Sequence, residues 1–141
     1  MDFELNNEIR VIAVDFDGTL CENKYPEIGE PNLILIKMLK EVQKLGHKII
    51  LWTCRSGEML EKAVSFCREQ GLEFDAVNAN IPERLLLYGD DPRKIGADCY
   101  IDDKCVHPDL LCRYCIDMAF GSGINFNGVF TDCEHNCEHN N

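Results

Sequence analysis

A chain of 141 residues with 25 acidic against 14 basic side chains, a formal charge of −11, has room for one domain and repels nucleic-acid backbones and anionic membrane faces. Neither nucleic acid nor membrane is expected as a partner, whereas a small phosphate ester stays open if a divalent cation and backbone donors reverse the field in one pocket. Residues 1–10 lack the basic start and apolar stretch of a secretory signal, and the nine cysteines are an odd number spread through strands and helices, so a cytoplasmic protein with reduced, mostly buried thiols is expected.

Val11-Ile12-Ala13-Val14 is an unbroken apolar run too short for a helix, the pattern of a central parallel strand covered on both faces, and it ends in acid at Asp15. From Asp15 to Pro31, proline and glycine punctuation reads as loop or irregular turns. After Pro31, Leu35, Met38, Leu39, Val42 and Leu45 recur at helical spacing until Gly46, which predicts an amphipathic helix with that stripe inward. Ile49 to Thr53 reads as a second buried strand, after which Ser56 can cap a helix with Leu60, Ala63, Val64 and Cys67 inward and Gly71 beyond. Ala76-Val77-Asn78 is a weaker third strand, and Cys99 to Asp102 a fourth that again ends in acid. Strands alternating with helices predict an α/β fold with a parallel sheet and chemistry at the carboxyl ends of its strands. From about Gly121 the pattern degrades, and Cys-Glu-His-Asn occurs twice in tandem at 133–136 and 137–140. The expected organisation is one α/β domain over 1–120 and a Cys/His-rich C-terminal extension over 121–141.

Asp15 and Asp17 stand two positions apart where a buried strand opens into a glycine-containing loop. One carboxylate can attack phosphorus while the other handles the proton of the leaving oxygen. The bland alternative, an Asp-Gly hairpin turn, is disfavoured because the residues after Gly18 do not alternate like a partner strand. Asp102 and Asp103 close the fourth strand; uncompensated aspartates at one sheet edge repel, and hard carboxylate oxygens suit Mg²⁺. An exposed turn or helix cap is the competing reading of that pair. Thr53, with Cys54, Arg55 and Ser56 following as a helix begins, offers a hydroxyl and free amides to phosphoryl oxygens, although a strand-end Thr alone is commonly just a β-branched residue. Cys112 and Cys115 with Cys133, His135, Cys137 and His139 approach the spacing of a four-ligand zinc site. Burial of Cys112 and Cys115 on a helix, and metal scavenging by a loose tail, are the alternatives.

Asp-Phe-Asp-Gly-Thr-Leu at 15–20, Thr53 closing an apolar strand, a later Lys and Tyr-Ile-Asp-Asp at 100–103 resemble the motifs of the haloacid dehalogenase superfamily, over residues 9–104. The resemblance implies a doubly wound Rossmann-like parallel sheet in a single domain without an inserted cap. The first, second and fourth strands would lie side by side, and a helical turn and hairpin flap would follow Asp15. It further implies Asp15 as nucleophile and Mg²⁺ ligand, Asp17 as acid/base and as a ligand through its main-chain carbonyl, Thr53 as phosphate binder, and Asp102 with Asp103 completing the metal site. Lys94 would neutralise nucleophile and phosphate, with Arg93 and Lys104 as rivals. Cys21, Cys54 and Arg55 are expected near the pocket mouth, where loop residues commonly set specificity, as substrate contacts or as structural loop positions. The implied activity is Mg²⁺-dependent hydrolysis of a small phosphomonoester through an aspartyl-phosphate. A phosphotransferase with the same motifs and a non-catalytic phospho-ligand-binding module are the alternatives; a dehalogenase is disfavoured by Asp17 and the Asp102-Asp103 pair. Without a cap the site would be open, either shielded by the flap and a neighbouring subunit of a homo-oligomer or accepting bulky phosphorylated groups.

Overall fold

In the computed structural model, which describes residues 9–108 together with 120, 121 and 123, the secondary structure follows the apolar runs of the sequence in chain order. Among the described residues the elements are β1 (Val11–Val14), β2 (Cys21–Lys24), β3 (Glu27–Pro31), α1 (Leu33–Lys44), β4 (Lys48–Leu51), α2 (Gly57–Glu69), β5 (Ala76–Val77), α3 (Pro82–Tyr88) and β6 (Cys99–Ile101). Four strands form a parallel sheet in the order β5-β4-β1-β6, and β2 and β3 form a separate antiparallel hairpin. The chain moves outward from β1 to β4 and β5, then returns to lay β6 on the other edge of β1.

Alternation along the strands divides the core. Val14, Ile49 and Leu51 face α1 and α2 and pack with Ile36, Leu39, Ala63 and Cys67; Val11, Ala13 and Ile50 face the other way and pack with Ile81 and Ile95. Full burial of an aliphatic side chain such as Leu51 contributes roughly 1.5–3 kcal/mol, so this strand-centred core carries the fold. Two compact units divide the chain, Met1–Asp103 and Lys104–Asn141, and every strand and helix named here lies in the first. The Cys112, Cys115, Cys133, His135, Cys137 and His139 cluster lies outside the described residues. Among the described residues, no helix is long and apolar enough to cross a membrane.

Four expectations need correction. The stretch between Asp15 and Pro31 is not irregular throughout, for it carries the β2–β3 hairpin. Glu22, Asn23 and Lys24 are all exposed, so no apolar alternation marks a strand there. Pro31 does not open α1 but ends β3 opposite Cys21; Asn32 caps the helix, its side chain accepting from the Leu35 N–H at 3.2 Å. Of the expected stripe, Leu39 is buried and Leu35 and Val42 are half-buried, Ile36 joins them, and Met38 and Leu45 are exposed, Leu45 lying at the C-cap beyond the last helical residue. Helix α3 escapes the sequence pattern, because it buries no residue and its consecutive Leu85, Leu86 and Leu87 have no inward period; Pro82 starts it and Gly89, at φ 68°, stops it. Of the five described cysteines, only Cys21 and Cys67 are buried, and burial pushes the Cys67 thiol up to about 12.

Two aspartates repeat one device at the entry edge of the sheet. Asp75, just before β5, gives its N–H to the Ile49 carbonyl and accepts the Ile49 N–H on Oδ2, both at 2.8 Å. Asp98, just before β6, does the same to Val11, again at 2.8 Å each way, and also accepts from Arg84 Nη2 at 2.7 Å. The Val11 N–H, with Arg84 beside it, holds the Asp98 carboxyl below its ordinary 3.8. A depressed acid contributes stability that is present above its unfolded value and lost as the pH falls through its native one. Asp98→Ala is therefore expected to cost about 1–3 kcal/mol at pH 7, the range for orphaning a buried N–H. Urea unfolding should show that deficit shrinking at pH 3; a deficit independent of pH would contradict the ionic clasp.

Candidate functional site

The carboxyl edge of the sheet is set by the two partners of β1. Asp15 donates its N–H to the Ile101 carbonyl at 2.9 Å, and Trp52 donates to the Val14 carbonyl at 2.8 Å, so Asp15, Trp52 and Asp102 leave the sheet at one level and Thr53 follows at once. Beyond Asp15 the chain wraps tightly: the Phe16 carbonyl accepts from the N–H groups of Thr19, Leu20 and Cys21 at 3.1, 2.9 and 3.3 Å. Gly18 makes this possible. Its φ is +82°, and a Cβ there would stand 2.5 Å from Asp103 Oδ2, so any side chain would drive Asp103 away.

Asp15, Asp102 and Asp103 each offer a carboxylate oxygen, and these atoms lie within 4.8 Å of one another. Thr19, which sequence reasoning passed over, joins them: Oγ1 lies 3.3 Å from Asp15 Oδ2 and 3.4 Å from Asp103 Oδ1, and accepts the Asp103 N–H at 3.1 Å. One hydroxyl proton serves only one of those carboxylates at a time. Repulsion between unit charges at this spacing is of order 3 kcal/mol near a protein surface, more than the ~1 kcal/mol that a neutral hydrogen bond returns. The group responds accordingly. Burial first, then the hydrogen bond with Asp103 and the charges of Asp102 and Asp103, push the Asp15 carboxyl up to about 6, against the opposing pull of the Phe16 N–H. A set of hard oxygen donors with excess negative charge fits a hard divalent cation.

The raised value has a sign that can be tested. Because the native pKa lies above the ordinary 3.8, stability is full while Asp15 holds its proton and is lost as the pH rises through about 6. In EDTA at pH 7.5, Asp15→Asn is expected to melt above wild type, and the gap should close below about pH 4. A variant that melts below wild type at pH 7.5 would show that the cluster carries no electrostatic strain.

Thr53 is held by a residue not singled out from sequence. Asn78, in the left-handed region at φ 51°, accepts the Thr53 N–H on Oδ1 at 2.8 Å and donates Nδ2 to the Arg55 carbonyl at 3.4 Å. Thr53 Oγ1 accepts the Arg55 N–H at 3.1 Å, which leaves the hydroxyl proton to donate outward. Nothing in the local sequence separates this Asn from an ordinary strand end.

Arg55 is not at a pocket mouth. It is 2% exposed, with Nε and Nη2 donating to Asp17 Oδ2 and Oδ1 at 2.8 and 2.7 Å. Asp17 therefore turns away from the aspartate cluster into a bidentate ion pair. Cys54 beside it is exposed. Lys94 rests its ammonium 5.5 Å above the Tyr100 ring, whose hydroxyl donates to the Ile95 carbonyl; Arg93 is exposed, and Lys104 belongs to the second unit. A cleft of about 720 Å³ lies between the hairpin and α2, lined by Ile28, Met59 and Phe66 with Glu27, Glu58 and Glu61, and the aspartates are not part of it. The chemistry concentrates at the sheet edge instead, where the charges converge.

No protein-family model matches the chain, and no curated protein matches it. A solved structure does match: the conserved protein coded by a locus from Bacteroides thetaiotaomicron is 44% identical, over 70% of this chain and 79% of that one, with a TM-score of 0.63. The chain belongs to the same family as that conserved protein.

Proposed function

We propose that the chain is a Mg²⁺-dependent phosphohydrolase of the haloacid dehalogenase type, on a doubly wound Rossmann-like domain without a cap. The observation that carries the reading is the convergence of Asp15, Asp102 and Asp103 at the carboxyl edge of a parallel sheet, with Asp15 raised to about 6 by burial and by its neighbours. The strand order β4-β1-β6, which sets Thr53 and Asp102 on either side of Asp15, supports the resemblance seen in the motifs. In this reading the Asp15 carboxylate attacks phosphorus, the bond from phosphorus to the leaving oxygen breaks, and water then cleaves the aspartyl-phosphate. Thr53 donates its outward proton to a phosphoryl oxygen. Asp17, oriented by Arg55, keeps further lone pairs on its carboxylate oxygens, through which it gives a proton to the leaving oxygen in the first half-reaction and takes one from the attacking water in the second. Mg²⁺, when bound, would be held by Asp15, Asp102 and Asp103 and would supply charge neutralisation for the transferring phosphoryl group. Lys94 is the candidate to neutralise the nucleophile and phosphate; its ammonium lies over the Tyr100 ring, a contact that uses none of its N–H donors.

Purified protein is expected to hydrolyse p-nitrophenyl phosphate with Mg²⁺ and not with EDTA, and Asp15→Asn to abolish turnover. Mg²⁺ should also raise the melting temperature at pH 7.5, with the shift fading as the pH falls below about 6, where a proton competes for Asp15. If saturating Mg²⁺ alters neither melting nor turnover, the metal-dependent reading fails.

A further inference from the structure

The hairpin beside the site has little of its own to hold it. A two-stranded hairpin is marginal alone in water, and β2 buries only Cys21, while β3 is exposed or half-buried along its length. Its turn is nevertheless tied down by one side chain from another part of the chain. Arg55 donates Nη1 to the Pro26 carbonyl at 3.1 Å and Nη2 to the Glu27 carbonyl at 2.9 Å, while Nε and Nη2 hold Asp17. The guanidinium carbon also lies 5.0 Å from the Phe16 ring centroid and 5.1 Å from that of Tyr25.

These contacts use four of the five N–H groups an arginine owns. A guanidinium so occupied and 2% exposed has no face to offer a phosphate, so the substrate-contact role expected of Arg55 gives way to another. We infer that Arg55 is a positioning residue that locks Asp17 and the β2–β3 hairpin into one unit, making the hairpin a fixed wall of the site rather than a lid. The catalytic half of this inference rests on the phosphohydrolase reading; the mechanical half does not. Lysine cannot replace arginine here, because a single ammonium cannot grip a carboxylate in bidentate fashion and reach two carbonyls at the hairpin turn.

Hydrogen exchange read by mass spectrometry on the full chain separates the two halves. In Arg55→Lys, exchange over residues 21–31 is expected to accelerate about tenfold or more while residues 48–51, in the core strand β4, stay as slow as in wild type. Removing one partner of a buried ion pair can unfold a protein, so the charge-balanced double variant Arg55→Met with Asp17→Asn provides a second route to the same reading, again with 21–31 fast and 48–51 slow. Unchanged exchange at 21–31 in both variants, or acceleration there only in step with 48–51, would overturn the pin. For turnover of p-nitrophenyl phosphate, Arg55→Lys is expected to lower kcat about tenfold or more and to move KM by less than about threefold. A raised KM at wild-type kcat would instead make Arg55 a substrate contact and overturn the positioning role. A wild type without turnover would remove the phosphohydrolase reading alone, since the exchange data still decide the pin.

Discussion

Parallel pairing of β1 on both of its edges is the constraint on which the rest of the molecule depends. A strand with no free edge and cover on both faces must be short and wholly apolar, and its first polar residue then emerges at the end of the sheet. Because β4 and β6 run in the same direction and in matched register, their own first polar residues emerge beside it. The grouping of Asp15, Asp102 and Thr53 is thus a consequence of backbone hydrogen bonding. The aspartates that clasp Ile49 and Val11 at the opposite edge secure the same register from its other end.

That arrangement carries an internal conflict. The fold brings carboxylates together more closely than their charges favour, with a single threonine hydroxyl to mediate between Asp15 and Asp103. Proteins commonly give up stability where function needs a prepared site, and under the proposed Mg²⁺-binding role that deficit would reappear as affinity for the cation. Gly18 belongs to the same compromise: only a residue without a side chain permits the left-handed turn and the approach of Asp103 together.

The two aspartates of the first motif are separated by their partners more than by their spacing. Asp15 faces like charges and is driven toward its protonated form, while Asp17 faces a guanidinium that also holds the hairpin. Two chemically identical side chains two residues apart acquire different environments because the chain turns sharply at Phe16, whose ring is buried edge-on against Phe66 at 5.9 Å. Helix α2, which carries Phe66 and comes directly after the Arg55 loop, therefore supports both environments from one side of the sheet.

Much of this was legible in the sequence where the physics is local. Apolar runs identified β1, β4 and β6, the first and last of them bounded by acid, helical spacing identified α1 and α2, and the paired aspartates after β1 and β6 marked the edge where charge gathers. What residue patterning missed were features whose partners lie far along the chain: the arginine that holds the polar hairpin, the hairpin itself being implied only by the resemblance, the short helix α3 with no buried face, the exposure of Met38 on α1, Asn78 behind Thr53, and Thr19 between two carboxylates. The sequence by itself determined the strands, the main helices and the residue types at the sheet edge, because burial and backbone propensity act over a few neighbouring residues. Only the tertiary structure decided which charges meet which, because electrostatic partnership depends on distances of a few ångströms between residues as far apart in the chain as Asp15 and Asp103.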